Sequence, residues 1–138
     1  GPRQYPEKVI PAFIYNLLNG DKCYIQGKGN SERHFIYIDN VIDALILIED
    51  KGIIGEIYNI STDEFININN LANLLINKLK DTDNYSDYIE YIQDRNFNDF
   101  RYLINSTKLE KLGWKPKIKF DEGIKRTIQS FKTKQKNK

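Results

Sequence analysis

The chain has 138 residues, of which 40% are hydrophobic and 29% charged, and its formal net charge is +2. That much apolar sequence supports one packed domain and excludes a chain disordered throughout. The charge is too mild to argue for nucleic acid, and much of the excess sits in the tail, at Lys132, Lys134, Lys136 and Lys138, so residues 132–138 read as a basic, frayed, solvated end.

In chain order, Pro6 to Asn19 carries Val9, Ile10, Phe13, Ile14, Leu17 and Leu18 at helical spacing. Pro6 suits a first turn, Pro11 bends the helix or marks its true start, and Gly20 stops it. "CYIQ" is a short strand before the Gly27–Gly29 loop, and "RHFIYI" is a second strand, rich in aromatic and β-branched residues. Asp39 is placed to cap a helix whose apolar face is Val41, Ile42, Ala44, Leu45 and Ile48, and which Gly52 and Gly55 end. "EIYNIS" reads as a third strand and "INI" as a short extended piece, with Asn69 or Asn70 capping the helix that carries Leu71, Leu74, Leu75 and Leu79. Residues 81–87 read as a polar loop, "YIEYI" as a strand, and 93–100 as a polar run. Ser106 caps a short helix closed by Gly113. Trp114 and Pro116 form a connector, and Phe120 to Phe131 is the last helix, with Asp121 as its cap. Helices and short strands interleave, which is a mixed α/β class, but the strands are too few and short for a complete doubly wound sheet.

The chain holds one cysteine, Cys23, and one histidine, His34. A lone cysteine excludes an internal disulfide and fits a reducing compartment. The pair argues against a metal site, and Cys23 reads as a small apolar filler. No apolar run reaches the roughly 20 residues of a membrane span, and no basic-then-apolar leader opens the chain. The expectation is a soluble, cytoplasmic protein with no membrane or nucleic-acid partner. The sequence opens at Gly1 without a methionine and is expected to be a piece of something longer.

Two stretches carry candidate chemistry. In "GKGNSERHFIYID", glycines precede Arg33. A guanidinium binds two phosphate oxygens at once, and Gly27 and Gly29 let backbone approach a ligand closely. On that motif alone, a hairpin turn beside a surface arginine is the favoured reading. In "QDRNFNDFRY", Asp94, Arg95, Asp99 and Arg101 alternate in sign around an aromatic, which also describes a solvated loop with local ion pairs. A third stretch, "QYPEKVIP", completes a pattern.

Together the three resemble the C-terminal half of the nucleoside-diphosphate-glucose 4,6-dehydratases, members of the extended short-chain dehydrogenase/reductase family. "GPRQYPEKVIPAFI" is similar to their Gly-Pro-x-x-Phe/Tyr-Pro-Glu-Lys-Leu-Ile-Pro segment. "YIQGKGNSERHFIYIDNVIDAL" is similar to Gly-x-Gly-x-x-x-Arg-Asp-Trp-x-Tyr-Val-x-Asp, "GEIYNIS" to Gly-Glu-x-Tyr-Asn-Ile-Gly-Gly, and "DRNFNDFRYLINSTKLEKLGWKP" to their Asp-Arg…Asp-x-Arg-Tyr…Leu-Gly-Trp-x-Pro run. The likeness covers essentially the whole chain, in order. It implies the substrate-binding part of such an enzyme, with the Rossmann half absent.

The resemblance further implies a nucleoside-diphosphate-glucose substrate, with UDP and dTDP both open, and a role in deoxysugar or rhamnose biosynthesis. Arg33 and Arg95 would clamp the pyrophosphate. Lys8, Val9, Tyr24, Ile25 and Gln26 would line the nucleotide site, with Asn67 supplying a polar contact and Asn98 and Tyr102 closing the rim. The family oxidises the sugar at C4 with bound NAD, eliminates water across C5 and C6, and returns the hydride to C6. The parent would be a homodimer whose missing N-terminal half holds NAD. Its sheet would cover the Asp39–Asp50 helix and "EIYNIS", so that without it Ile46, Ile48, Ile57 and Ile60 lose partners and the separate piece is marginally stable or self-associates. The chain departs from the pattern at His34, at Asn96-Phe97-Asn98, at Ser61-Thr62 and at Ile104-Asn105-Ser106, mostly loop positions facing the substrate.

The family's chemistry needs a glycine-rich NAD loop, a Tyr-x-x-x-Lys pair and a Thr-Asp-Glu triplet. No strand–glycine–helix unit of the first kind occurs. Tyr24…Lys28 spells the second, but it runs from a strand into a glycine loop, where the helical spacing that puts the lysine beside the tyrosine is lost. Thr62-Asp63-Glu64 spells the third at the position of the family's glycine pair. Both read as chance, which leaves no catalytic residue and no cofactor site in this segment. The competing readings are a non-catalytic remnant or binding module, and a segment of a nucleotide-sugar epimerase or decarboxylase.

Overall fold

The structure is a computed structural model that describes residues 1–94, 96 and 99–136. Helix α1, Val9–Leu18, buries Phe13 and Ile14 and, one turn on, Leu17, along a single stripe. It starts three residues later than Pro6, and Pro11 sits in its first turn, where a missing N–H costs nothing. Its end is closed by Gly20 at φ +79°, with the amide of Asp21 donating to Asn16 O at 2.9 Å.

Strand β1, Cys23–Gln26, follows and pairs in parallel with β4, Ile89–Ile92. Strand β2, Glu32–His34, pairs antiparallel with β3, Phe65–Asn67, with His34 opposite Phe65 and Arg33 opposite Ile66. These are two separate two-stranded sheets. Residues 35–37 of the expected second strand have no ladder partner.

Helix α2, Ile38–Lys51, has Tyr37 at its N-cap rather than Asp39. Asp39 lies in the first turn, where a carboxylate favours the helix dipole. Helix α3, Ile68–Lys80, is capped by Asn67, whose Oδ1 accepts from the Asn70 amide at 2.7 Å, so the cap is two residues before Asn69. Helix α4, Thr107–Lys111, has Ser106 at its N-cap, although the hydroxyl donates to Glu110 Oε1 at 2.6 Å rather than capping. Helix α5 runs from Phe120 to Lys136, through most of the tail expected to fray. Its first amide, Phe120, donates to Glu64 Oε2 at 3.2 Å, which replaces Asp121 as the cap.

The main core joins α1, α3 and α5 to β1, through Ile14, Leu17, Ile25, Leu75, Ile76 and Ile128 among others. Each such side chain contributes about 1.5–3 kcal/mol on burial. A smaller cluster packs Ala44 of α2 against Leu109 and Trp114, with Ile48 and Ile60 joining it. "EIYNIS" runs through this cluster without a ladder. A strand needs a neighbouring strand for its N–H and C=O groups, and among the described residues none runs beside this segment, which is anchored through its side chains. The Ile53 amide donates to Tyr58 Oη at 3.0 Å, Lys108 pairs with Glu56, and Asn59 Nδ2 donates to Asn105 O at 3.4 Å. Ile48 and Ile60 therefore keep partners, whereas Ile46 and Ile57, with Ile42, Leu45, Ile53 and Ile54, form an exposed apolar face.

Asn40, 1% exposed, ties α2 to the connector after Trp114. Its Oδ1 accepts from the amides of Lys117 and Ile118 at 3.0 Å each, its Nδ2 donates to Ile118 O at 2.7 Å, and its carbonyl accepts Trp114 Nε1–H at 3.1 Å. Asn40→Ala leaves two amides and a carbonyl without their partner in a partly buried setting. It is expected to cost about 3 kcal/mol in chemical denaturation. A loss under about 0.5 kcal/mol would mean that the connector is not held by this side chain.

Candidate nucleotide-sugar cleft

A cleft of about 650 Å3 lies between the start of α1, β1 and β2. Five of the ten residues expected at a site line it: Lys8 and Val9 at the first turn of α1, Tyr24 and Gln26 on the outward face of β1, and Arg33 on β2. The period-2 alternation of β1 explains the selection, since Cys23 and Ile25 point into the core and Tyr24 and Gln26 point away. Ile25 is fully buried, so its side chain is core and not lining. Asn67 spends its Oδ1 on the α3 cap and lies outside the cleft. Arg95 and Asn98 lie outside the described residues.

Arg33 is braced. Its Nη1 donates to Glu32 O at 2.7 Å and Phe100 O at 3.3 Å, and the Tyr102 ring lies 5.0 Å from its guanidinium carbon. Tyr102 thus reaches the site through Arg33, and its own hydroxyl bonds Asp99. The Phe100 carbonyl also accepts the Glu32 amide at 2.8 Å, and Arg101 pairs with Glu32 while lying over Phe65. Residues 99–102 are therefore laced along β2 by the Phe100 carbonyl, the Tyr102 ring and Arg101 of the charge-alternating run. Lys8 adds a second cation to the cleft and Glu7 one anion.

The glycine loop has another reason for its glycines than ligand approach. A Cβ on Gly27 would lie 2.3 Å from Asp94 Oδ2, and one on Gly29 would lie 2.2 Å from Asn69 Oδ1. Both residues also hold positive φ, +59° and +68°. The close approach is made by protein groups.

His34 is bound to the next loop. A carbonyl only accepts, so Nδ1 carries the proton it shares with Thr62 O at 2.6 Å. Its ring meets Phe65 edge-on at 4.4 Å. Among the described residues the buried Nε2 of His34 and Oγ1 of Thr62 have no partner.

Neither chance motif forms a catalytic arrangement. Thr62 holds His34 and Glu64 caps α5. Tyr24 Oη donates to Asp21 Oδ1 at 2.8 Å, and this bond, with the nearby Asp21 charge, pushes the phenol above its ordinary value. A catalytic tyrosine needs the opposite shift. Burial pushes the Cys23 thiol up to about 12, which fits an inert filler.

Gln4, Tyr5 and Glu7 also line the cleft and were not singled out in the sequence, although they lie in the quoted "QYPEK". Their signal was adjacency to Lys8. A second groove of about 690 Å3 lies beside α2 and Trp114, but Asp43, Glu49 and Asp50 line it along with Lys115 and Lys117. That mixed, acid-rich wall suits a diphosphate less well than the cleft holding Arg33 and Lys8.

Comparison with known proteins follows the same lines. A family model described as GDP-mannose 4,6 dehydratase matches residues 1–127. The dTDP-D-glucose 4,6-dehydratase of Mus musculus is 44% identical over 135 residues, covering 96% of this chain and 38% of that protein. The crystal structure of dTDP-glucose 4,6-dehydratase from Bacillus anthracis in complex with NAD superposes with a TM-score of 0.89 at 31% identity, over 99% of this chain and 42% of that one. UDP-glucose 4-epimerase of Thermotoga maritima, solved with UDP-glucose, gives 0.86 at 32% identity, over 98% and 43%. The chain thus spans about two fifths of the mouse relative and of these two structures.

Alkaline difference titration of the wild type against Tyr24→Phe is expected to show the Tyr24 phenol ionising above its ordinary value of about 10. Because the shift is upward, the proton is held to higher pH. A phenol titrating well below 10 would revive the catalytic reading of Tyr24.

Proposed function

The chain belongs to the family described by the GDP-mannose 4,6 dehydratase model, and from that premise we propose that it is the nucleotide-sugar-binding portion of an NAD-dependent nucleoside-diphosphate-glucose 4,6-dehydratase. The observation that carries the reading is Arg33, braced by two backbone carbonyls and the Tyr102 ring, in a cleft shared with Lys8, Val9, Tyr24 and Gln26.

The roles follow from the chemistry of the side chains. A diphosphate carries charge on non-bridging oxygens, and a planar guanidinium meets two of them in parallel. Its bracing means little rotamer freedom is lost when the ligand arrives. Lys8 adds a second positive charge. Tyr24 and Gln26 offer a ring face and an amide with both donor and acceptor, groups suited to a pyrimidine nucleoside. The reaction would convert NDP-glucose to NDP-4-keto-6-deoxyglucose and water, with the hydride carried by NAD.

The Gly27–Gly29 turn does not fit a dinucleotide. It leads into β2 rather than a helix, and Asp94 and Asn69 fill the space beside it. The dinucleotide would be held by another part of the polypeptide, and the exposed apolar face of α2 with Ile53, Ile54 and Ile57 is the surface that part would cover. Catalysis would then require both portions. The likeness to the epimerase supports a shared fold and a shared ligand class. The Glu7-Lys8-Val9-Ile10-Pro11 and Asp99-x-Arg101-Tyr102 pieces favour the dehydratase reading.

Calorimetric titration of the chain with dTDP and UDP tests this reading. Binding is expected for at least one of them, and Arg33→Ala should weaken it by about 10- to 100-fold, the loss of charge-assisted hydrogen bonds. Arg33→Lys should fall between. Addition of NAD and NDP-glucose should give no turnover. Equal affinity in Arg33→Ala, or turnover by this chain alone, would contradict the proposal.

A further inference from the structure

Tyr24 and Gln26 lie on β1 and Arg33 on β2, yet no ladder joins these strands. β1 pairs with β4, and β2 with β3. In a hairpin, strand hydrogen bonds would fix the spacing between the nucleoside end of the cleft and its cation. Here that spacing is set by the five residues 27–31 and by whatever holds them.

One residue, Asn69, makes two of the hydrogen bonds that hold that turn. Its backbone amide donates to Gly29 O at 3.1 Å and its Nδ2 to Lys28 O at 2.9 Å. Its Oδ1 accepts from Tyr91 Oη at 3.2 Å. The amide orientation is settled by the partners, because the Lys28 carbonyl only accepts. Tyr91 belongs to β4, and Asn69 is the second residue of α3, which continues directly from β3. A single residue therefore ties the first sheet, the second sheet and the turn between them. Two further bonds complete the seam: Ile68 N to Ser31 O at 3.2 Å and Gly27 N to Ile92 O at 2.9 Å. Gly29 cannot carry a Cβ because Asn69 Oδ1 occupies the place where it would lie.

We infer that Asn69 is a positioning residue for nucleotide-diphosphate binding, one that sets the distance between Gln26 and Arg33 without touching the ligand. Asn69 does not line the cleft, whereas Gly29, Ser31 and Arg33, which it places, do. The inference rests on the reading of the cleft as a nucleoside-diphosphate site.

The test measures dTDP and UDP affinity by calorimetry in the wild-type chain, Asn69→Asp, Tyr91→Phe and Asn69→Asp in an Arg33→Ala background. Asn69→Asp keeps the volume and the acceptor for Tyr91 but turns a carboxylate oxygen toward the Lys28 carbonyl. It should weaken binding by about 3- to 10-fold, and Tyr91→Phe by about twofold, the range for one or two lost neutral hydrogen bonds. In the Arg33→Ala background the Asn69→Asp penalty should shrink to within about twofold, which a general loss of folding would not produce. Wild-type affinity in Asn69→Asp, or an undiminished penalty without Arg33, overturns the inference and leaves the cleft reading intact. A wild-type chain that binds neither nucleotide overturns both.

Discussion

Everything at the cleft depends on how the chain crosses from β1 to β2. The two strands belong to different two-stranded sheets, and the crossing is a five-residue turn with positive φ at Gly27 and Gly29. Backbone ladders fix positions within each sheet and say nothing about the distance between them. The turn, Asn69 and the Ile68–Ser31 bond do that. Two side-chain groups that would meet different ends of one ligand are thus held in register by a side-chain amide. The glycines are there to make room for that amide and for Asp94.

The same economy operates around Arg33. A guanidinium on a two-stranded sheet would ordinarily sample several rotamers, and ordering it would cost free energy at the moment of binding. The Glu32 and Phe100 carbonyls and the Tyr102 ring order it beforehand. The run 99–102 that supplies them is held by Arg101 on Glu32 and Phe65. Of the charges in this stretch Arg101 supplies an ion pair to β2, and the Phe100 carbonyl and the Tyr102 ring supply the other contacts. At α2 the account is reversed: the helix presents Ile42, Leu45 and Ile46 to solvent, an arrangement that gains free energy only when another apolar surface covers it.

The helices were legible because burial imposes its period on the sequence. Phe13, Ile14 and Leu17 announced α1, and Leu71 and Leu75 announced α3, before any coordinates. Strand pairing was less legible, since a strand is defined by a neighbour that its own residues do not name. "EIYNIS" has strand composition and no ladder, because no described strand runs beside it. The caps lie two or three residues before the expected ones at α2 and α3, where several Asp or Asn side chains compete for the position, and at α5 a tertiary contact decides, since Glu64 accepts from Phe120. At the candidate cleft, Lys8, Val9, Tyr24, Gln26 and Arg33, which the resemblance singles out, come together in space. Strand alternation turns Ile25 inward, and the helix cap claims the Asn67 side chain. Asn69 left no trace in the motifs, since its role lies in contacts with residues 41 positions before and 22 after it.

The central claim is that the cleft between α1, β1 and β2 receives a nucleoside diphosphate. Backbone amide chemical shifts of the isotope-labelled chain, followed while dTDP or UDP is added, test it most directly. The account predicts saturable shifts concentrated at Lys8, Val9, Gln26 and Arg33, with little change along Asp43–Asp50 and Trp114–Lys117. Shifts centred on that second groove, or none at saturating nucleotide, would contradict it.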